Sequence, residues 1–323
     1  GQHEGVALDT LPRGHDGRDA ASGTGGCQVN GLDRCALVDP HAYLDQAAMQ
    51  RLDHVLQSLG LQVIIEESSA PLLPGNRLEK VPRDNLGAHC DLVIVVGGDG
   101  SMLSVGLTLA AHGVPVLGVN RGRLGFLTDI LPEDIESRIG PILAGKYTEE
   151  SRFLIECQLQ RGGTIISSGC ALNDVVLHPG TAARMIEFEL FIDEQFVNSQ
   201  QSDGLIVATP TGSTAYSLSA GGPIMHPSLN ALVLVPMYPH SLSSRPLVID
   251  ADSTIRILVG KQRSILPQIS CDGAISFGTS PGDSVIVRKK AEPLRLIHPL
   301  DHNFYQTCRS KLGWGNRLVR ADD

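Results

Sequence analysis

The chain has 323 residues, more than one ordinary core usually needs, so two domains or one large one are expected. Apolar residues at 42% and charged residues at 19% exclude a mainly disordered chain, and aromatics at 4% against 35 glycines and 19 prolines favour backbone-lined sites over aromatic stacking grooves. A formal charge of −9 argues against a nucleic-acid binder held by phosphate contacts, and no apolar run approaches the roughly 18 residues that span a bilayer.

Residues 1–32 are rich in Gly, His and Asp, carry no apolar stretch of a secretory leader, and read as a flexible tail. CALV (35–38) is a short apolar run. Ala48, Leu52, Val55, Leu56 and Leu59 then recur at helical spacing, with Gly60 as a stop. LQVIIEE (61–67) reads as a strand, and the Pro-, Gly- and Asn-rich stretch 70–87 as a loop. DLVIVV (91–96) is continuously apolar, as a strand buried on both faces requires. A helix over 102–113 and a strand over 114–119 complete a strand–helix–strand rhythm, the signal of a parallel sheet. A further helix is expected over 132–144, kinked or ended by Pro141. After about residue 150 the period switches to two, as in Phe153, Ile155, Cys157 and Leu159 and again in Ile186, Phe188, Leu190 and Ile192. Residues ~150–290 are therefore expected to be mostly antiparallel sheet. A last helix is expected over 303–312.

The seven cysteines are odd in number and scattered, with no CxxC, which fits reduced thiols in a cytoplasmic protein. The eleven histidines show no metal-binding spacing, and His178 and His226, each before a proline, read as turn residues.

Three segments carry chemistry. GGDG (97–100) leaves the buried strand at once. Its glycines let backbone N–H groups face a phosphate without Cβ atoms in the way, and the following helix adds its positive end. Asp99 reads equally as a general base beside a nucleotide or as the cap of an ordinary strand–helix turn. Two familiar phosphate motifs are excluded: residues 98–103 lack the third glycine of a dinucleotide fingerprint, and GPILAGKY (140–147) carries Tyr where a P-loop needs Ser or Thr. In ALNDVVLHPG (171–180), Asn173 and Asp174 stand between apolar runs and suit an adenine edge and a sugar hydroxyl. TPTGSTAYS (209–217) packs hydroxyls and one aromatic into nine residues, which suits a nucleotide pocket, with Tyr216 offering a flat face to a base.

These segments, with NRGRLGFLTD (120–129), SSRPLVI (243–249), SCDG (270–273) and SKLGWG (310–315), resemble NAD kinases of the bacterial type over roughly residues 35–318. The resemblance implies an α/β plus β fold: an N-terminal α/β domain with a parallel sheet (33–148), a β-rich, sandwich-like domain (149–290), and a C-terminal segment (291–323) returning to the first. It implies transfer of the γ-phosphate of ATP, or of polyphosphate, to the 2′-hydroxyl of the adenosine ribose of NAD. It also implies a divalent cation such as Mg²⁺ and a homodimer or homotetramer.

Carried over residue by residue, Asp99 resembles the base. Gly97, Gly98 and Gly100 would face phosphates, Phe126 would line the adenine side, Asn173 would read adenine and Asp174 the ribose. Arg184, Asp203, Thr211, Thr214, Ala215, Tyr216, Ser217 and Ser219 would complete the pocket. Gln201 stands where relatives commonly carry Arg, and Ala274 where a polar residue is frequent. Both changes are expected to weaken dinucleotide binding or relax the choice between NAD and NADH. Two alternatives stay open on sequence: a related GGDG-type lipid or sugar kinase, and a catalytically weakened NAD-binding protein.

Overall fold

The computed structural model describes residues 31–40, 45–122, 124–181, 184–261 and 266–314. All but the last two residues of the expected tail, and Cys27, lie outside them; the six described cysteines are free thiols. Among the described residues, no helix is long and apolar enough to cross a membrane.

The first half alternates strands and helices: β1 (Arg34–Val38), α1 (Gln46–Ser58), β2 (Gln62–Glu66), β3 (Glu79–Val81), α2 (Leu86–His89), β4 (Leu92–Val96), α3 (Asp99–Ala110), β5 (Val116–Val119), α4 (Ile135–Leu143) and β6 (Tyr147–Arg152). Each boundary has a local cause. Asp45 caps α1 by accepting from the Ala48 amide at 3.0 Å. All five residues of β4 are buried, as its unbroken apolar run requires. The stretch 70–87 is not the plain loop expected: it holds β3, paired parallel to β2, and α2. β3 reads EKV, an edge strand too short and too charged to announce itself.

The second half is strand after strand: β7 (Ile155–Arg161), β8 (Thr164–Ala171), β9 (Asp174–His178), β10 (Ile186–Ile192), β11 (Gln195–Ser202), β12 (Gly204–Ala208), the short α5 (Tyr216–Ser219), β13 (Ala231–Met237), β14 (Leu247–Asp250), β15 (Ile255–Val259), β16 (Gln268–Cys271), β17 (Ile275–Gly278) and β18 (Ser284–Lys289). The chain then closes with β19 (Leu294–Pro299) and α6 (Phe304–Leu312). Asn303 caps α6 through the Gln306 amide, and Gly313 ends it at φ 69°, the left-handed conformation glycine adopts freely.

One sheet has the order β3-β2-β1-β4-β5-β19-β6 and is parallel except for β6, which runs antiparallel to β19. The chain leaves β1 toward β2 and β3 and then returns to place β4 on the other side of β1. That reversal opens a crevice beyond the carboxyl ends of the strands, where GGDG stands. The other two sheets, β11-β10-β15-β18-β7-β8 and β14-β13-β12-β9-β16-β17, are wholly antiparallel. One apolar core joins them, with Cys157, Phe188 and Leu190 from one sheet packed with Val175, Val207 and Leu234 from the other. The architecture is an α/β sheet beside a β-sandwich, as expected.

The two parts share buried contacts. Leu154 and Leu172, which flank the sandwich strands β7 and β9, belong to the same apolar cluster as Met102 of α3, Leu127 and Leu296. Leu172 immediately precedes Asn173, so the cluster that packs α3 also anchors the entry to β9.

Candidate active site

Two groups of residues adjoin that shared cluster, one through Leu127 and one through Leu172. The first is built on the β4–α3 turn. Asp99 is the first residue of α3, and Gly98 before it makes no side-chain cap. The Asp99 carboxylate turns away from its own helix. Its Oδ2 accepts from the Phe126 amide and its Oδ1 from the Leu127 amide, both at 3.0 Å. The cap reading of Asp99 is thereby excluded: the carboxylate is held by a different loop, 27 and 28 residues away. Gly125 makes that approach possible, since a Cβ there would stand 2.0 Å from Asp99 Oδ1. The turn is itself pinned, with Gly125 N donating to Thr128 O at 2.9 Å and Asn120 Nδ2 to Thr128 Oγ1 at 2.7 Å.

The three glycines divide. A Cβ at Gly98 or Gly100 would meet nothing within 4 Å, so both backbones border open space that an anion can approach. The Gly97 amide instead donates to Val119 O at 2.8 Å and continues the sheet ladder, so it does not face a phosphate as expected.

The second group surrounds a cavity of about 780 Å³ at the end of the sandwich. Of the expected residues, Asn173, Asp174, Arg184, Asp203, Ala215 and Tyr216 line it. Sequence reasoning missed Val176, His178, Pro179, Gly180, Met237, Tyr238, Ser270, Asp272 and Gly273. His178 is thus more than a turn residue, although its Nδ1 does accept from the Gly180 amide at 3.2 Å.

Asp272 is the most informative of these. Its carboxylate accepts three successive amides, Leu172 at 2.7 Å, Asn173 at 2.8 Å and Asp174 at 3.0 Å. From the other side Thr209 holds the same strand entry: its amide donates to Asn173 O at 2.9 Å and its Oγ1 to Leu172 O at 2.5 Å. Gly212 packs against Asn173 O so closely that a Cβ would stand 2.1 Å away. The backbone that aims Asn173 and Asp174 into the cavity is therefore clamped on both faces. The only sequence signal for Asp272 was its place in SCDG.

Asp174 is 5% exposed. Burial first, and then the nearby Asp272 carboxylate, push its carboxyl up to about 7. Burial also raises Asp272, against the opposing pull of its three amides.

The remaining expected residues do not line this cavity. The hydroxyls of the 209–217 segment mostly satisfy the loop itself: Ser213 Oγ donates to Pro210 O and accepts from the Met225 amide, and Thr214 Oγ1 donates to Thr211 O. A loop with little regular structure must bond its buried backbone groups somewhere, and these side chains do so. Thr211 Oγ1 accepts from Arg152 at 3.3 Å, and Ser217 is buried against Gly222. Ser219 lines a neighbouring cavity of about 580 Å³, shared with Tyr216 and bounded by Arg245. Phe126 packs its ring 6.2 Å from Phe304 of α6. Gln201, on β11, donates to Glu187 at 3.2 Å and stands outside the cavity wall, and so does Ala274.

A carboxylate with adjacent open backbone at a parallel-sheet crevice, and a mixed polar and apolar pocket in the sandwich, are the kinds of group that phosphoryl transfer to a nucleotide-like substrate needs. Comparison with known proteins narrows the class. Residues 42–147 match the ATP-NAD kinase N-terminal domain and residues 172–299 the ATP-NAD kinase C-terminal domain. An NAD kinase of Ectopseudomonas mendocina is 60% identical over 274 residues, covering 85% of this chain and 93% of that protein. An NAD kinase of Pseudomonas fluorescens is 60% identical over 275 residues with the same coverage. Among solved structures, yeast NADH kinase complexed with NADH aligns with a TM-score of 0.80 at 28% identity, over 90% of each chain. An NAD kinase from Archaeoglobus fulgidus in complex with ATP aligns at 0.69 and 25% identity, over 87% of this chain and 98% of that one. The chain belongs to the ATP-NAD kinase family. A lipid or sugar kinase that merely shares GGDG is thereby set aside.

Proposed function

We propose that this protein transfers the γ-phosphoryl group of ATP to the 2′-hydroxyl of the adenosine ribose of NAD, giving NADP and ADP. The observation that carries the reading is that one chain holds both the loop-fixed Asp99 and the clamped Asn173–Asp174 entry and matches both domains of the family. In this reading Asn173 bonds the adenine edge, Asp174 the ribose hydroxyls, and half-exposed Tyr216 covers the base. Asp99 accepts the 2′-hydroxyl proton as the oxygen forms its bond to the γ-phosphorus. The bond from that phosphorus to the bridging oxygen breaks, and ADP leaves. The protein's part is alignment, with a fixed carboxylate and exposed amides placed where charge moves.

A divalent cation such as Mg²⁺ fits the donors at hand. Among the described residues the one group of three possible metal-ligating side chains does not include Asp99, which suits a hard cation that keeps its waters and rides on ATP phosphates. When bound it would neutralise phosphate charge. We further infer a cytoplasmic homo-oligomer. Its self-association is supported by exposed Ile165, Ile166, Phe196 and Val197 on β8 and β11, the outer strands of one sandwich sheet.

The test is an NADP-formation assay in four combinations, ATP or polyphosphate with NAD or NADH. Product from ATP and NAD supports the reading. NAD binding without product from any combination overturns it and returns the chain to a binding protein.

A further inference from the structure

A line of buried and half-buried charged groups that the mechanism above does not use joins the two parts of the chain. His302 Nδ1 lies 3.1 Å from Asp129 Oδ2, and the same oxygen contacts His298 Nδ1. On its far side His298 Nε2 lies 3.3 Å from Glu150 Oε2. That oxygen accepts from Arg152 Nε at 2.9 Å, and Arg152 Nη1 donates to Thr211 Oγ1 at 3.3 Å. The line crosses from the turn before α6, through the loop after β5, β19 and β6, to the 209–217 loop of the sandwich. Side-chain exposure is 2% at His298, 3% at Arg152, 11% at Asp129 and 30% at Glu150.

Two other accounts of the line are weaker. The donor atoms of Asp129, His298 and His302 lie within 4.8 Å of one another, a grouping that resembles a transition-metal site. Here, though, Asp129 Oδ2 already contacts both imidazoles directly, so the place of an ion is taken by hydrogen bonds. Stability alone is also a poor reason, because buried ion pairs often gain little over apolar replacements of the same shape.

The two ends of the line are informative. Asp129 follows Thr128 in the turn whose Phe126 and Leu127 amides hold Asp99. Thr211 precedes Gly212, which packs on Asn173, and lies four residues before the cavity-lining Ala215. We propose that the Asp129–His298–Glu150–Arg152 line is a strut that fixes the Asp99-holding turn relative to the dinucleotide pocket, with His298 as its central positioning residue. Polar links of this kind specify one geometry where apolar packing alone tolerates several, and here the His298–Glu150 step is a charge contact at 3.3 Å while the other steps are hydrogen bonds. The direction of charge agrees. Burial alone would lower the His298 pKa, but its contacts with Asp129 and Glu150 outweigh that and raise it, favouring a cation between two anions. Burial would likewise raise both carboxyls, yet the partners hold Asp129 and Glu150 at about 2.

The inference rests on the NAD kinase reading for its kinetic consequence but has a readout independent of it. Arg152 makes no hydrogen bond to the 124–128 turn, so Arg152→Gln tests transmission along the line. Amide hydrogen exchange should be measured at Phe126 and Leu127 in the full chain. Exchange there is expected to accelerate by about tenfold or more in Arg152→Gln, and by as much in His298→Gln. Unchanged protection in folded variants overturns the strut whether or not the chain makes NADP. The second arm is a double-mutant cycle of Asp129→Asn and Arg152→Gln, two residues that do not touch. Each is expected to lower kcat about tenfold with little change in NAD affinity, and the pair to fall well short of the roughly hundredfold product. Strict multiplicativity, or a lowered melting temperature with parental kcat, overturns it. Stoichiometric zinc or cobalt that is lost in His302→Ala would make the cluster a metal site and also overturn it. A parent that forms no NADP would sink the activity reading alone.

Discussion

The two halves of the site hold their key carboxylates in opposite ways. Asp99 stands at a strand exit and is fixed by amides from one short turn, 126–127. Asp174 lies on a sandwich strand, and its surroundings are collected from β12, β16 and loops up to 100 residues distant. Asp99 is only partly buried beside open backbone at Gly98 and Gly100, where a reacting group can reach it. Asp174 is enclosed, crowded by Asp272 and pushed up to about 7. A local turn delivers a reactive group to solvent-accessible space, whereas long-range strand pairing builds a shaped cradle. The first has one short sequence signature, whereas the second shows only part of its wall in motifs and collects the rest by strand pairing.

The comparison can be broken first at Asp99. Asp99→Asn is expected to lower turnover by about 10²–10⁴-fold, the usual worth of a general base, while NAD affinity measured by calorimetry stays within a few-fold of the parent. Near-parental turnover would remove Asp99 from the role. Gly125→Ala asks whether position matters apart from charge. The new Cβ would stand 2.0 Å from Asp99 Oδ1 and 2.5 Å from Thr128 Oγ1, so the turn must shift. A fall of roughly 10–100-fold in kcat is expected, with NAD affinity little altered. Equal losses in kcat and affinity would mean that the halves are not separable in this way.

Asp272→Asn acts on the other half. It places an amide donor against three backbone donors and releases the strand entry at Asn173. The expected cost is about 1–3 kcal/mol, seen as a lower melting temperature and about a tenfold rise in KM for NAD, with kcat largely kept. The smallest effect is on pH. Because the Asp174 pKa is raised in the folded chain from 3.8 to about 7, its contribution to stability is present below about pH 4 and lost as pH rises toward 7. Raised Asp272 works in the same direction. Asp174→Asn should therefore flatten the decline in melting temperature between pH 4 and pH 7, while weakening NAD binding at all pH values. An unchanged pH profile would mean that Asp174 is not the titrating group.

Much of this was readable before folding, and the reasons are local. The run at 91–96 had to be a doubly covered strand, and GGDG had to be its exit. Period-two alternation marked β7 and β10. What escaped notice was polar or distributed. β6 reads YTEESR, an edge strand mostly open to solvent, so no apolar pattern reveals it. Asn173, Asp174 and Tyr216 were legible because each sits in a dense motif. Met237, Tyr238 and Asp272 were not, because antiparallel pairing alone brings β13 and β16 to the same cavity. The hydroxyls of 209–217 misled in a useful direction: they mark the pocket loop correctly, but most of them bond the loop that carries Ala215 and Tyr216.

A crystal structure with NAD and a non-hydrolysable ATP analogue is the most direct measurement. The account predicts the adenosine ribose 2′-oxygen within about 3.2 Å of an Asp99 carboxylate oxygen, with adenine against Asn173. A dinucleotide seated with that hydroxyl turned away from Asp99, or with the nicotinamide ribose in its place, would contradict it.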